Sequence, residues 1–395
     1  MYILFFMVFG IAVIGGDFVK LNIAGISFTY ITMIALFISY FRYFIIKRAI
    51  ISLDTRSKAL LLFEIYAFFM IVISALQYNK LFISEELYTN IYYIPRQAYY
   101  LSILPALILM RDNRNMERLQ MFLNKYANFL FWIIALLHII YTRSLSISVP
   151  TVVILSFLAL YSGKNRLTLS NITKLIVIVF TPIAVGGEMT NFIIRCVYIL
   201  LFVSKQEKTN IKILRYIFIG MLLCIFLLPI FTPIFQFIFD ANSFWRLAYW
   251  QDELGQLIKS NMLGVGYGTS YATQQFVGNN LIGGPFAASG EYSTMDKLFI
   301  TGPHCSYVAV AFRTGIIGIG LFLYFIFSII SAIVKYINDI PIHSIFLFFS
   351  SLFLIGVNVG LESPYYLMVF VFSTGVCIYN INLLETKENY EKINN

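Results

Sequence analysis

Residues 244–268 read FWRLAYWQDELGQLIKSNMLGVGYG, and residues 301–320 read TGPHCSYVAVAFRTGIIGIG. The first stretch mixes charge, aromatics and glycine. The second passes from a Gly-Pro-His turn into an apolar run. Gly- and Ser-rich sequence joins them, and on either side the chain is almost wholly apolar. Hydrophobic residues make up 59% of the 395 residues and charged residues 12%, with a mean hydropathy of +0.81. Soluble domains carry about 25% charged residues. So large an apolar excess cannot be hidden in one aqueous core of this length. The polar stretch therefore reads as an interruption in a membrane protein.

A spanning helix needs about 20 apolar residues, with a range of roughly 17–25. On that rule the fold class is all-α: a polytopic membrane protein of about 12 transmembrane helices, with a long external loop between helices 9 and 10. The expected spans before the loop are 1–15, 21–41, 59–77, 92–110, 127–142, 147–162, 175–187, 189–204 and 216–236. Those after it are 304–334, 342–360 and 364–384. The organisation is thus helices in 1–235, an extracytoplasmic loop with an amphipathic helix in 236–303, helices in 304–384, and a frayed cytoplasmic tail in 385–395. Within the loop, residues 267–300 would form a mobile cover. The N-terminal MYILFFMVFGIAVIGG has neither the basic leader nor the cleavage site of a signal peptide, so it reads as a retained first span.

The formal charge of +9 is not a nucleic-acid signal, because the Lys and Arg sit in short clusters between apolar runs. With both termini on one side, only Lys20, Lys80, Arg143, Arg246, Lys259 and Lys297 fall opposite, and Arg96, Arg195 and Arg313 fall within spans. The remaining basic residues share the side of the termini. By the positive-inside rule that side is cytoplasmic and the long loop faces out. The expected location is a membrane, crossed many times. The four Cys have no metal-ligand spacing and imply no disulfide framework.

The residues that could carry chemistry follow from the cost of placing charge in a membrane, about 2.5–3.5 kcal/mol on insertion scales. Arg195 lies in TNFIIRCVYILLF, in the outer half of its span, within reach of an external cavity, of Glu188 or of the interface. Arg96 lies among tyrosines in YYIPRQAYY, a pattern also met in interface anchors. Arg313 lies at the AFRTGIIG break, facing a cavity or capping a short helix. Over 244–262, Phe244, Leu247, Leu254, Leu257 and Ile258 make an apolar face, while Arg246, Trp250 and Glu253 share another. Such a helix would lie along the outer interface. Gly264, Gly266 and Gly268 would let backbone N–H groups approach an anion. His304, after Gly302-Pro303, would present an imidazole able to accept a hydroxyl proton, or simply face water at a helix start. Glu64 and Glu362 lie within or beside spans.

Taken together, Arg195, Arg246, Trp250, Gly264, Gly266, His304, Gly315 and Gly318 resemble the O-antigen polymerase and O-antigen ligase superfamily of bacterial envelope glycosyltransferases. The topology covers nearly the whole chain and the motifs roughly residues 186–320. The family usually has Asn after the His, where this chain has Cys305. The resemblance implies a donor glycan on undecaprenyl pyrophosphate and transfer on the outer face of the inner membrane. It also implies metal-independent catalysis with no cofactor. It gives His304 as general base, and Arg195 and Arg246 as stabilisers of the departing pyrophosphate. Arg96, Trp250, Glu253, Gly264, Gly266 and Arg313 are the candidate substrate-binding residues. Polymerisation of repeat units into O-antigen or capsular polysaccharide is the favoured reading. A chain-length regulator and a flippase are implied partners besides membrane lipid. The alternatives are an O-antigen ligase acting on lipid A-core and a lipid-linked glycan flippase. A flippase predicts matched broken spans in the two halves, and none stands out in the sequence.

Overall fold

The computed structural model describes residues 2–15, 21–23, 26–27, 31, 34–35, 37–42, 54–77, 87–110, 113–162, 168–183, 188–206, 241–281, 297–300, 302, 304–357 and 360–394. It is all-α in class. Its main helices are α1 (Tyr2–Ile14), α2 (Thr55–Gln77), α3 (Ile103–Met110), α4 (Asn113–Thr142), α5 (Val149–Ser162), α6 (Leu169–Phe180) and α7 (Glu188–Gln206). These are followed by α8 (Ala241–Lys259), α9 (Ser306–Lys335), α10 (Ile342–Val357) and α11 (Pro364–Asn394). Among the described residues, four helices are long and apolar enough to cross a membrane: Thr55–Leu76, Arg114–Thr142, Ser306–Lys335 and Tyr365–Ile393. Several shorter apolar helices accompany them. By helix length and hydropathy this is a multi-pass membrane protein. Leu62, Ile65, Phe69, Val72 and Leu76 form an exposed stripe along one face of α2. Such a stripe suits hydrocarbon as solvent and would be a liability in water.

The bundle has two distinct ends. At one, Arg56 at the start of α2 donates to Glu385 at 2.5 and 3.1 Å and to Asn382 at 3.1 Å, both on α11. Lys335 at the end of α9 bonds Glu388 of α11 at 2.6 Å there. At the other end, Ser74 of α2 meets Tyr267, and Ser306 of α9 accepts from the Leu361 N–H at 3.0 Å. α9 packs most extensively on α2, α4 on α5, and α10 on α11. α1 fills the space between α4, α5 and α11.

Four expectations change. The span at 92–110 is not one helix: 3-10 turns at Ile91–Tyr93 and Tyr99–Ser102 and a short helix at Ile94–Gln97 precede α3. Pro95 and Pro105 lack the N–H that a continuous ladder needs, and Glu64 of α2 accepts from the Leu104 N–H at 2.9 Å where α3 begins. The basic segment carrying Arg114, Arg118 and Lys125 is not a loop but the first turns of α4. Met116, Leu119 and Leu123 give that segment a buried face while the charges stay exposed. The tail at 385–395 is not frayed, because α11 continues to Asn394 and is held by the Arg56 and Lys335 contacts. Within the expected span 21–41, Asn22–Ile23 pairs antiparallel with Ile26–Ser27, and residues 37–42 are helical. The expected span 216–236 lies outside the described residues.

Candidate functional site

The site is organised by a break in α9. Gly315 has φ 68°, which interrupts the helix in its third turn. The carbonyls of Phe312 and Arg313 are released, and the loop takes them up: the Val265 N–H donates to Phe312 O at 2.8 Å and the Gly266 N–H to Arg313 O at 3.1 Å. In return the Ile316 N–H donates to Met262 O at 2.9 Å. Gly264 also has positive φ, 89°, and a Cβ on it would lie 2.5 Å from the Gly315 nitrogen. The two backbones cross so closely that only glycine fits on either side.

Three side chains pin the segment beyond this crossing. Ser74 accepts from the Tyr267 N–H at 2.9 Å while donating to Met70 O at 2.7 Å. Gln97, fully buried, accepts from the Gly268 N–H at 2.7 Å and donates to Thr269 O at 3.0 Å and Phe299 O at 3.3 Å. Asp252 of α8 accepts from the N–H and the hydroxyl of Thr273, each at 2.9 Å. The strand β4 (Thr269–Thr273) pairs antiparallel with β3 (Leu87–Thr89). The mobile cover expected over 267–300 is therefore corrected for its first part. Residues 267–273 are buried and bonded on both sides, because their backbone groups have partners in three other segments. The N–H of Gly264 is bonded to Ser260 Oγ at 3.2 Å and that of Gly266 to α9. These glycines close a backbone crossing, with their N–H groups turned into it.

Helix α8 lies against α9 with Tyr249, Trp250, Glu253, Gln256 and Leu257 buried. Leu254 and Ile258 are exposed. Of the expected apolar face, Leu254 and Ile258 thus point outward while Leu257 is buried, and the face bearing Trp250 and Glu253 turns inward, with Arg246 half-buried. Beneath it lies Arg313, with no exposed surface. Its Nη1 donates to Gly266 O at 3.2 Å and to the Thr269 hydroxyl, and its plane stacks 4.1 Å from the Tyr271 ring centroid. Its Nε and Nη2 have no hydrogen-bond partner among the described residues.

Glu253 is likewise fully buried, with neither carboxylate oxygen bonded among the described residues. Burial pushes its pKa well above the usual carboxylate range; Arg313 opposes this, while Asp252 and Glu362 add to it. Glu362, in the turn before α11, is buried with Oε1 unpartnered among the described residues. Burial raises its pKa too, and Arg96 pulls the other way. Tyr267 completes the group, its buried hydroxyl unbonded among the described residues and subject to the charges of both Arg313 and Glu362. Above this floor sit half-buried cations. Arg96 acts on Glu362, and Arg246, whose charge reaches Tyr366, projects from α8.

His304 is half-buried beside the floor, at φ 51°. That left-handed conformation costs about 1 kcal/mol or more for a non-glycine residue. The helix starts two residues later than the sequence suggests, at Ser306, with Cys305 as an N-cap that makes no side-chain bond. Burial pushes the Cys305 thiol up to about 11, which keeps it neutral.

The structure therefore gathers Arg96, Arg246, Trp250, Glu253, Arg313 and the segment around His304 at one end of the bundle. The bonds of Arg195 go to a different set of residues. Arg195 is buried on α7 and donates to Asn191 Oδ1 at 2.9 Å, Val179 O at 3.0 Å and Thr181 O at 2.6 Å, so it caps the C-terminus of α6. Sequence reading missed Tyr267 as a member of the cluster and gave Glu362 only a passing place. Glu362 carried the usable signal, an acid next to Ser-Pro at a span end, but interface placement explains that pattern equally well. Among the described residues no three of His, Cys, Asp or Glu gather as a metal-ligand set. Comparison of the chain with protein-family models, curated proteins and solved structures found no match to any of them.

Proposed function

We propose that the protein polymerises undecaprenyl-pyrophosphate-linked oligosaccharide repeat units into O-antigen or capsular polysaccharide, by glycosyl transfer on the outer face of the bacterial inner membrane. One observation carries the reading: half-buried Arg96 and Arg246 lie with buried Glu253, Arg313 and Glu362 at the end of the bundle where residues 262–273 pack. Pyrophosphate is a strong anion and needs fixed cations, and arginine offers planar, permanently charged, bidentate contacts. Charge that grows on the leaving pyrophosphate is best met by donors already held in place, and in many enzymes such donors supply most of the rate enhancement.

The orientation supports the same reading. Lys and Arg of α4 and α11 lie toward the end holding Arg56 and Lys335, which the positive-inside rule assigns to the cytoplasm along with both termini. The loop end then faces the compartment in which lipid-linked sugars, and no nucleotide sugars, are available. Arg246 and Arg96 take the pyrophosphate in this reading, with Trp250 packed beside Arg246 on α8. The acceptor hydroxyl must lose a proton, and His304 and Glu253 are the two candidate groups to take it. A flippase delivering the donor and a chain-length regulator are the expected partners.

The test is reconstitution. Purified protein in liposomes receives a lipid-linked repeat unit, and products are resolved by chain length. A ladder is expected, lost on Arg246→Ala and on Arg96→Ala, each by about 10²–10³-fold. A single transfer onto added lipid A-core would instead mark a ligase. Movement of intact donor with no new glycosidic bond would mark a flippase and end the polymerase reading.

A further inference from the structure

Glu253 of α8 and Arg313 of α9 are neighbours that do not touch. Arg313 is the charge that most favours the ionised form of Glu253, yet among the described residues no hydrogen bond or ion pair joins the two. Each keeps unused valence in the interior: both Glu253 oxygens, and the Nε and Nη2 of Arg313. Leaving such groups unpaired costs about 1–3 kcal/mol each, more when they are charged, so the arrangement calls for an occupant. The occupant must accept from a guanidinium and donate to a carboxylate at once. A hydroxyl does both. Tyr267 and Tyr271, whose hydroxyls are also unbonded among the described residues, lie in the same interior, Tyr271 stacked on Arg313.

We propose that Glu253 and Arg313 bind the attacking hydroxyl of the acceptor sugar, Arg313 donating to its oxygen and Glu253 taking its proton. The proposal rests on the glycosyl-transfer reading above. In the step, the acceptor oxygen forms a bond to the anomeric carbon of the donor as the bond from that carbon to the pyrophosphate oxygen breaks. The electron pair departs on the pyrophosphate, facing Arg246 and Arg96, and the acceptor proton ends on Glu253. His304 is not the proton acceptor in this step. The groups that face Glu253 are Arg313 from α9, Asp252 from its own helix, Glu362 from the turn before α11, and the neutral Cys305 and Tyr267. Arg313 favours the ionised carboxylate, but burial and the neighbouring acids outweigh it and make Glu253 a stronger base than a surface glutamate. Turnover then rises with pH as Glu253 ionises.

The experiment compares wild type, Glu253→Gln, Glu253→Asp and His304→Gln in liposomes with the lipid-linked repeat unit, over about pH 5–9, a range that brackets a raised carboxyl. Infrared spectra of the detergent-solubilised proteins follow protonated-carboxyl absorption over the same range. Glu253→Gln is expected to lower turnover by about 10²–10⁴-fold with little change in donor KM. Glu253→Asp should keep part of the activity with a displaced acid limb, and His304→Gln should keep the wild-type limb. The infrared titration should lose one component in Glu253→Gln. Should that variant fail to insert, the Glu253→Asp limb and the wild-type infrared titration decide. A ladder from Glu253→Gln within about 3-fold of wild type, with the same acid limb, overturns the proposal and leaves water as the occupant. Loss of the limb in His304→Gln alone also overturns it. Both outcomes leave the polymerase reading standing, whereas a wild type that forms no glycosidic bond removes that reading and this one together.

Discussion

Arg195 offers the sharpest test, because an arginine within an apolar helix can serve either substrate or fold. Its guanidinium is committed to Asn191 Oδ1, Val179 O and Thr181 O at 2.6–3.0 Å, and its side chain is 5% exposed. Asn191 in turn donates to Ile147 O at 2.8 Å, so the arginine links the ends of α6 and α7 to the segment entering α5. Replacing Arg195 with Ala strips two carbonyls and an amide oxygen of their donor. At about 1–3 kcal/mol for each buried group left unsatisfied, less what relaxation and water recover, the loss is about 2–4 kcal/mol. The favourable charge at the C-terminus of α6 goes with it. Lysine brings a point charge without the fork, so Arg195→Lys should fall between. The measurement is the thermal unfolding midpoint in detergent, followed by intrinsic fluorescence, beside ladder synthesis per folded molecule. The midpoint should drop by several degrees in Arg195→Ala and by less in Arg195→Lys, while folded molecules keep activity within about tenfold of wild type. An Arg195→Ala protein with an unchanged midpoint and no ladder would show that the guanidinium acts on substrate and that the capping argument is mistaken.

Other expectations are more compact. Gly315→Ala and Gly264→Ala each force a side chain into backbone at positive φ, so both should lower the yield of inserted protein and open residues 262–273 to hydrogen exchange; unchanged protection in either would contradict the crossing. Cys305→Ser gives α9 an N-cap acceptor at almost constant volume, and should raise the unfolding midpoint by an amount matching about 0.5–2 kcal/mol. Glu253 and Glu362 hold their protons more tightly folded than unfolded, so stability is fullest below the ordinary carboxyl pKa of about 4.3 and is lost as pH rises through the raised folded values. Glu362→Gln should flatten that dependence and raise the midpoint at neutral pH; a midpoint still falling as steeply as in wild type would show that Glu362 does not titrate this way.

The helical membrane fold was legible because composition alone excludes an aqueous core and because runs of apolar residues have the length of a bilayer. The two faces of α8 were legible from spacing, including which one carries Arg246, Trp250 and Glu253. The break at AFRTGIIG was visible as glycine within an apolar run. What it does was hidden, because its partners at 262–266 lie some fifty residues away and pair through backbone atoms that carry no sequence signature. The β3–β4 pairing was hidden for the same reason. The start of α4 was misread because charge suggested a loop, whereas a helix with one buried stripe accommodates the same charges on its outer side. Arg195 was legible as a costly residue but not as a capping one. The cost of membrane charge reveals that a partner exists without saying whether it is a ligand or a neighbouring helix end.

The crossing of Gly264 over Gly315 also bears on modularity. Loops of membrane proteins are commonly treated as exchangeable parts hung between fixed helices. Here the loop borrows its hydrogen bonds from the interior of the next helix, and that helix tolerates its own break only because the loop repairs it. Neither is complete alone. Residues 262–266 and the first turns of α9 therefore behave as a single unit of inheritance and of engineering. A chimera that grafts the loop without the first turns of α9 would leave the N–H groups of Val265 and Gly266 without their acceptors. The unit that can be transplanted ends inside the helix, past Gly315.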